Sequence, residues 1–178
     1  MKRHLTIIAC LLLALACVMH AQAATGTTTL SVVVGPEAGL TVNTSTTSLT
    51  AIGSTFANPF TGTTSLTYFI RTTKTTGSGT ITSIVTTDFA AAGGPSVVTP
   101  PTAGDALTYS CTVAAPGTAC TGPITASHAA ATSVATFGAG ASSAKAGNAA
   151  SVAWSLTDDP AYSTGTYTAL VTFSISAL

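Results

Sequence analysis

Charge is almost missing from this 178-residue chain. Beyond the first 23 residues the only bases are Arg71, Lys74 and Lys145 and the only acids Glu37, Asp88, Asp105, Asp158 and Asp159, a net charge of −2. A chain with no basic stripe cannot neutralise phosphates, which excludes nucleic acid as a partner. Past the same point there is one histidine, His128, and one tryptophan, Trp154. No G-x-S-x-G, phosphate-loop or H-E-x-x-H pattern occurs. The reading is therefore of a protein that is not an enzyme and has no catalytic residues, no metal site and no cofactor.

Long apolar runs are equally scarce. One runs from Leu5 to Met19, after Lys2 and Arg3 and before Ala21-Gln22-Ala23. A basic start, an apolar middle and a small-x-small end read as a secretory signal peptide over 1–23. A rival reading cleaves before Cys17 and lipidates that cysteine. Residues 24–178 are then one domain, with no membrane span, placed outside the cytoplasm in the periplasm, at the cell surface or in the medium.

Cysteine falls to two once that segment is set aside. Cys111 and Cys120, in "CTVAAPGTAC", flank Pro116-Gly117. An even pair in an exported chain predicts a disulfide across a turn, stabilising by about 2.5–3 kcal/mol in the chain-entropy view.

What the chain has in quantity is threonine, 36 residues between 24 and 178. Threonine favours strands and gives a polar, uncharged surface. Apolar residues alternate with it in "TTTLSVVVG" (27–35), "GLTVNT", "TSLTAIG", "SLTYFIRTTK", "TITSIVTTDF", "ALTYSCTV", "TSVATF" and "ASVAWSLT". Gly, Pro and Asn punctuate these runs, and "TTGSG" (75–79) suits a hairpin turn. The last run places Tyr167, Ala169, Val171, Phe173, Ile175 and Ala177 on one face of a strand. Nine or ten short strands without an amphipathic helix predict an all-β, immunoglobulin-like antiparallel sandwich with Trp154 in its core.

Isolated motifs have plainer readings. Ser142-Ser143-Ala144-Lys145 fits S-x-x-K, but the S-D-N and K-T-G elements that would accompany it are absent. Asp158-Asp159-Pro160, with Asp105 or Glu37, could supply oxygens to Ca²⁺; a turn is the favoured reading. Tyr162 is the aromatic expected at the surface, where it would serve a carbohydrate-binding alternative. Asn43-Thr44-Ser45 fits a glycosylation acceptor.

Gly165, fourteenth from the last residue, followed by the alternating strand, resembles the C-terminal strand of chaperone–usher pilus subunits and of spore-coat-U-like secreted proteins. The resemblance covers the two ends of the chain, and Ala177 stands where those pilins carry a tyrosine. It implies a sandwich lacking one strand, filled by a neighbour's N-terminal segment, with an assembly chaperone as partner. Leu30, Val32 and Val34 would then be the donor strand, and Val171, Phe173 and Ile175 would border the receiving groove. A second stretch, "AWSLTDDP" with "YTALVTFSIS", resembles W-x-L cell-wall-binding domains, with Phe173 in place of their second tryptophan. The expected function is that of an exported structural subunit of a bacterial surface assembly, a pilus or fimbrium, that self-associates or joins other envelope proteins. The alternative is a monomeric module binding carbohydrate or another surface ligand.

Overall fold

The computed structural model describes residues 25–53, 55–89 and 92–178. The signal-peptide reading of 1–23, Cys17 included, lies outside them. The chain falls into two units, Met1–Val33 and Val34–Leu178. The described part of the first, 25–33, contains no strand, which corrects the expectation of one at 27–35. β-propensity biases a backbone, but a strand persists only where a neighbour bonds to it.

The second unit has ten strands: β1 Glu37–Val42, β2 Thr50–Ala51, β3 Phe60–Arg71, β4 Gly79–Thr87, β5 Leu107–Val113, β6 Thr118–Ala119, β7 Ile124–Thr125, β8 Thr132–Phe137, β9 Asn148–Leu156 and β10 Leu170–Ala177. They form two sheets, ordered β1-β3-β9-β5-β7, with β2 also on β3, and β10-β4-β8-β6. All pairings are antiparallel. The fold is the expected all-β sandwich. Among the described residues no helix is long and apolar enough to cross a membrane.

One connection departs from expectation. The turn at 75–79 does not close a hairpin, because β3 belongs to the first sheet and β4 to the second. The cause lies in the side chains: Leu66, Tyr68 and Ile70 on β3 and Ile81 and Val85 on β4 are all buried. Two such faces bury each other best when they oppose across a core. The chain leaves β3 anchored by Thr72, whose N–H donates to the Ala141 carbonyl and whose hydroxyl donates to Gly138 (2.7 Å). It then arches over, and a Cβ added to Gly79 would lie 2.7 Å from the Ile70 side chain, so only glycine fits there.

Three aromatics organise the interior. Trp154 on β9 is buried, donates its indole N–H to the Thr64 hydroxyl (2.9 Å) and meets the Tyr109 ring edge-on at 5.1 Å. Tyr109 reaches the second sheet, donating to the Ser133 carbonyl (2.9 Å). Tyr68 donates to the Ala114 carbonyl (2.5 Å) and accepts from the Gly117 N–H (3.3 Å), fixing the loop between the two cysteines. Each polar tip thus finds a partner, which removes the penalty of burying it.

That loop is closed by the predicted Cys111–Cys120 disulfide, Cα atoms 5.5 Å apart. Cys111 lies on β5 in the first sheet and Cys120 directly after β6 in the second. The bond therefore ties the two sheets along one side of the sandwich.

The outer face of the first sheet follows from the same alternation. Residues between the buried positions of β3, β9 and β5 point outward, and the pairing sets them in transverse rows. Thr63, Ala153 and Ser110 form one row, and Ser65, Ser151 and Thr112 the next. Thr61, Ser155 and Thr108 make the row at one end.

The double variant Cys111→Ser/Cys120→Ser should fold to the same sandwich and lose about 2.5–3 kcal/mol of unfolding free energy. Urea denaturation of the variant beside the oxidised wild type measures it; a loss below about 0.5 kcal/mol would mean the loop is already held by Tyr68.

Candidate functional site: the margin formed by β1 and β10

Opposite the disulfide, β1 of the first sheet and β10 of the second approach each other across the sandwich. Among the described residues β10 pairs with β4 alone, so its other edge has no strand partner. It is the longest edge strand, eight residues against six in β1 and two each in β6 and β7. Edges in native proteins are normally blunted by charge, proline or shortness. No charge and no proline occurs from Ala161 to Leu178. The β1 edge, by contrast, is guarded at its start by Pro36 and by an exposed ion pair between Glu37 and Arg71 (2.7 Å).

The inner face beside this edge is incompletely covered. Val171, Phe173, Ile175 and Ala177 point toward the core yet remain half-buried, whereas Ile81 and Val85 on neighbouring β4 are 0% and 1% exposed. Phe173 touches the core at its tip, its ring centre 6.4 Å from that of Trp154. Across from β10, β1 shows the same shortfall. Ala38, Leu40 and Val42 pair with the buried Ile70, Tyr68 and Leu66 and so share their inward phase. Leu40 is nevertheless only half-buried, Ala38 is exposed and Val42 is 44% exposed.

The structure thus brings Val171, Phe173 and Ile175 together on one face, as the alternation implied. Leu30 (92% exposed), Val32 (84%) and Val34 (60%) lie in no strand. Sequence reasoning missed Ala38, Leu40 and Val42 as the opposite wall. Their alternation in "EAGLTV" was the available signal, hidden because the stronger run at 27–35 took the role of first strand.

Two braced loops set where β10 begins. The strand starts at Leu170, so Tyr167 is a loop residue; its hydroxyl donates to the Ser163 carbonyl (2.6 Å). Its ring fills the space that a side chain at Gly94 would need, and Ser163 N–H donates to the Gly93 carbonyl (2.7 Å). The facing loop is organised by Asp88, whose carboxylate accepts from the Ser96 hydroxyl (2.6 Å) and from the N–H groups of Phe89, Val97 and Val98. Burial pushes its pKa up, but those four donors outweigh it and hold the carboxyl below the ordinary range.

The remaining candidates are structural. His128 is exposed, and its Nδ1 lies 2.8 Å from the Val85 carbonyl, to which it must donate. Ser142, the serine of the S-x-x-K pattern, is exposed and bridges Arg71 at the end of β3, while Ser143 N–H donates to the Ile70 carbonyl and the Ser143 hydroxyl accepts from the Ile70 N–H. Asp159 makes the expected turn, its carboxylate accepting from Ala161 N–H (2.6 Å) and its carbonyl from Tyr162 N–H (3.0 Å). Asp105 joins it: burial and the neighbouring Asp159 raise the Asp105 pKa against the lowering effect of Tyr162. Among the described residues no group of three or more His, Cys, Asp and Glu gathers for a metal, and Glu37 is committed to Arg71. Tyr162, expected at the surface, is instead half-buried with its hydroxyl on Asp105 (3.1 Å), so its ring is not a free stacking platform. Burial and the Asp105 carboxylate raise the pKa of that hydroxyl. Asn43 of the glycosylation tripeptide is exposed and donates to the Thr67 hydroxyl.

Because the Asp88 pKa is lowered on folding, its contribution to stability is present above the unfolded value near 3.8 and is lost as pH falls through the lower folded value. Unfolding free energy measured from about pH 5 downward should fall less steeply for Asp88→Asn than for the wild type. Parallel curves would place the acid sensitivity elsewhere.

Comparison of the chain with protein-family models, with curated proteins and with solved structures returns no match.

Proposed function

We propose that this protein is an exported structural subunit of a bacterial surface or pilus-like assembly, whose copies associate by adding a strand at the β10 edge. The observation that carries this reading is the unguarded β10 edge beside an apolar face left half-covered on both β10 and β1. An added strand would bond to the free N–H and C=O groups of β10, and its alternate side chains would pack on the half-buried Val171, Phe173 and Ile175. The segment with the required pattern is 28–34 of another copy, where Leu30, Val32 and Val34 share one phase. The near absence of charge removes the repulsion that normally keeps identical copies apart. The disulfide is compatible with an extracellular or periplasmic location.

Secreted protein examined by light scattering and electron microscopy should contain oligomers or filaments. Deleting 25–34 should leave folded monomers that bind a synthetic 25–36 peptide, with new hydrogen-exchange protection along 170–177. Undiminished assembly of the deletion variant would rule out this donor. A full-length protein that is monomeric at every concentration and does not bind the peptide would rule out strand addition.

A further inference from the structure

The few charges of residues 34–178 are sorted by end. Arg71 closes β3, Lys74 sits in the arch to β4, and Lys145 lies in the loop from β8 to β9. Gly79 pairs with Phe137 and Tyr68 with Asn148, so these three bases share one end of the sandwich. Asp88 follows β4, Asp105 precedes β5, and Asp158 and Asp159 follow β9. Leu156 pairs with both Phe60 and Leu107, and β4 runs away from the basic end, so these four acids share the other end. The fifth acid, Glu37, lies at the basic end and is ion-paired with Arg71. Lys74 and Lys145 are exposed, and among the described residues neither joins an ion pair. β3, twelve residues long, sets the two ends about 35–40 Å apart. That is several Debye lengths at physiological salt, so neither end neutralises the other.

The acid end also holds a depression of about 300 Å³. Phe56, 62% exposed, and Asp158 both line it, together with Pro59, Ser155 and Thr157. Among the described residues the Asp158 carboxylate accepts no hydrogen bond and joins no ion pair, whereas Asp88, Asp105 and Asp159 each accept from a neighbour. An aromatic ring and an unpaired carboxylate around one cavity suit an ammonium on an alkyl stem. The stem packs on the ring, and the charge is attracted by both ring and carboxylate.

We propose that this depression receives a lysine, Lys74 or Lys145, from the basic end of a second copy, so that copies dock head to tail. Among the described residues the exposed, unpaired cations all lie at the opposite end of the same domain, which makes the chain its own complement. A contact between unlike ends leaves each copy with a free end, so it repeats along a line. Other occupants fit less well. A phosphate- or sulfate-bearing partner is repelled by Asp158, and among the described residues no group of three or more His, Cys, Asp and Glu gathers for a metal. A neutral glycan would use the ring and leave the sorting of charge without a role. The docking needs neither β10 nor residues 25–34, so it stands or falls apart from strand addition.

The test compares the full secreted protein at about 0.01 M and about 1 M salt, where the Debye length is about 30 Å and about 3 Å. Sedimentation velocity reads the mass. Wild-type copies should associate more at low salt. Asp158→Lys and, separately, Lys74→Glu/Lys145→Glu should weaken that association about tenfold or more, because each brings like charges together. Phe56→Ala should weaken it about two- to fivefold at an unchanged melting temperature. Mixing the two charge variants in equal amounts should restore docking, since each supplies the intact end that the other lacks. Strand addition contributes to all these samples alike and persists at high salt, so its success or failure is read there. A wild-type mass that ignores salt, low-salt association of Asp158→Lys equal to the wild type, or a mixture no heavier than its components overturns the proposal.

Discussion

A β-strand has two rows of backbone hydrogen-bonding groups, and a sandwich satisfies the outer rows only by arrangement at its margins. In this protein the constraint is met on one side and left open on the other. β10 is bonded to β4 along one row, and along the other it presents polar groups next to a strip of apolar side chains that the sheets cover only in part. Water can solvate the first but not the second. The combination is what separates this margin from an ordinary solvent-facing edge, where the strip beneath would be buried or the strand would carry charge.

The two sides of the sandwich differ because different forces close them. Along β5 and β6 a covalent bond and the Tyr68 hydroxyl hold the sheets at a fixed separation, and the edge strands β6 and β7 are only two residues long. Along β1 and β10 the sheets are held only by partial packing of Leu40, Phe173 and their neighbours. The disulfide lies away from this margin, whereas Trp154 reaches it through the ring of Phe173 on β10.

Much of this was readable from the chain and some was not, for physical reasons. Alternation located β3 to β5, β8 and β9 because each has one face buried and one wet, and β10 because its alternate positions are half-buried and exposed, which writes a period of two into the sequence. Cys111 and Cys120 could be paired because only two remained. The fate of 27–35 could not be read, since propensity describes a residue and pairing describes a neighbour. Nor could the arch at 75–79 be told from a hairpin: Thr, Gly and Ser allow either, and the decision lies in Ile70 meeting the core across from Ile81. Ala38 and Val42 drew no reading from the sequence; their inward phase and their exposure are visible only in three dimensions. Tyr162 looked free because its partner, Asp105, is 57 residues away.

The energetics of an added strand say which segments could cover the apolar strip. Ordering a backbone residue costs about 1–2 kcal/mol, and a backbone hydrogen bond returns only about 1 kcal/mol net. Alternate residues of an added strand face β10, so hydrogen bonding alone loses to the entropy of ordering. The deficit has to be met by side chains packing on that strip, at about 1.5–3 kcal/mol for each aliphatic residue fully buried. A threonine-rich segment such as 72–76 would bond to the edge without covering the apolar strip, whereas under the proposed strand addition Leu30, Val32 and Val34 would cover it from a single phase. Selectivity for such a partner strand would then reside in the three apolar positions, because a backbone edge that attracts any strand cannot by itself retain one.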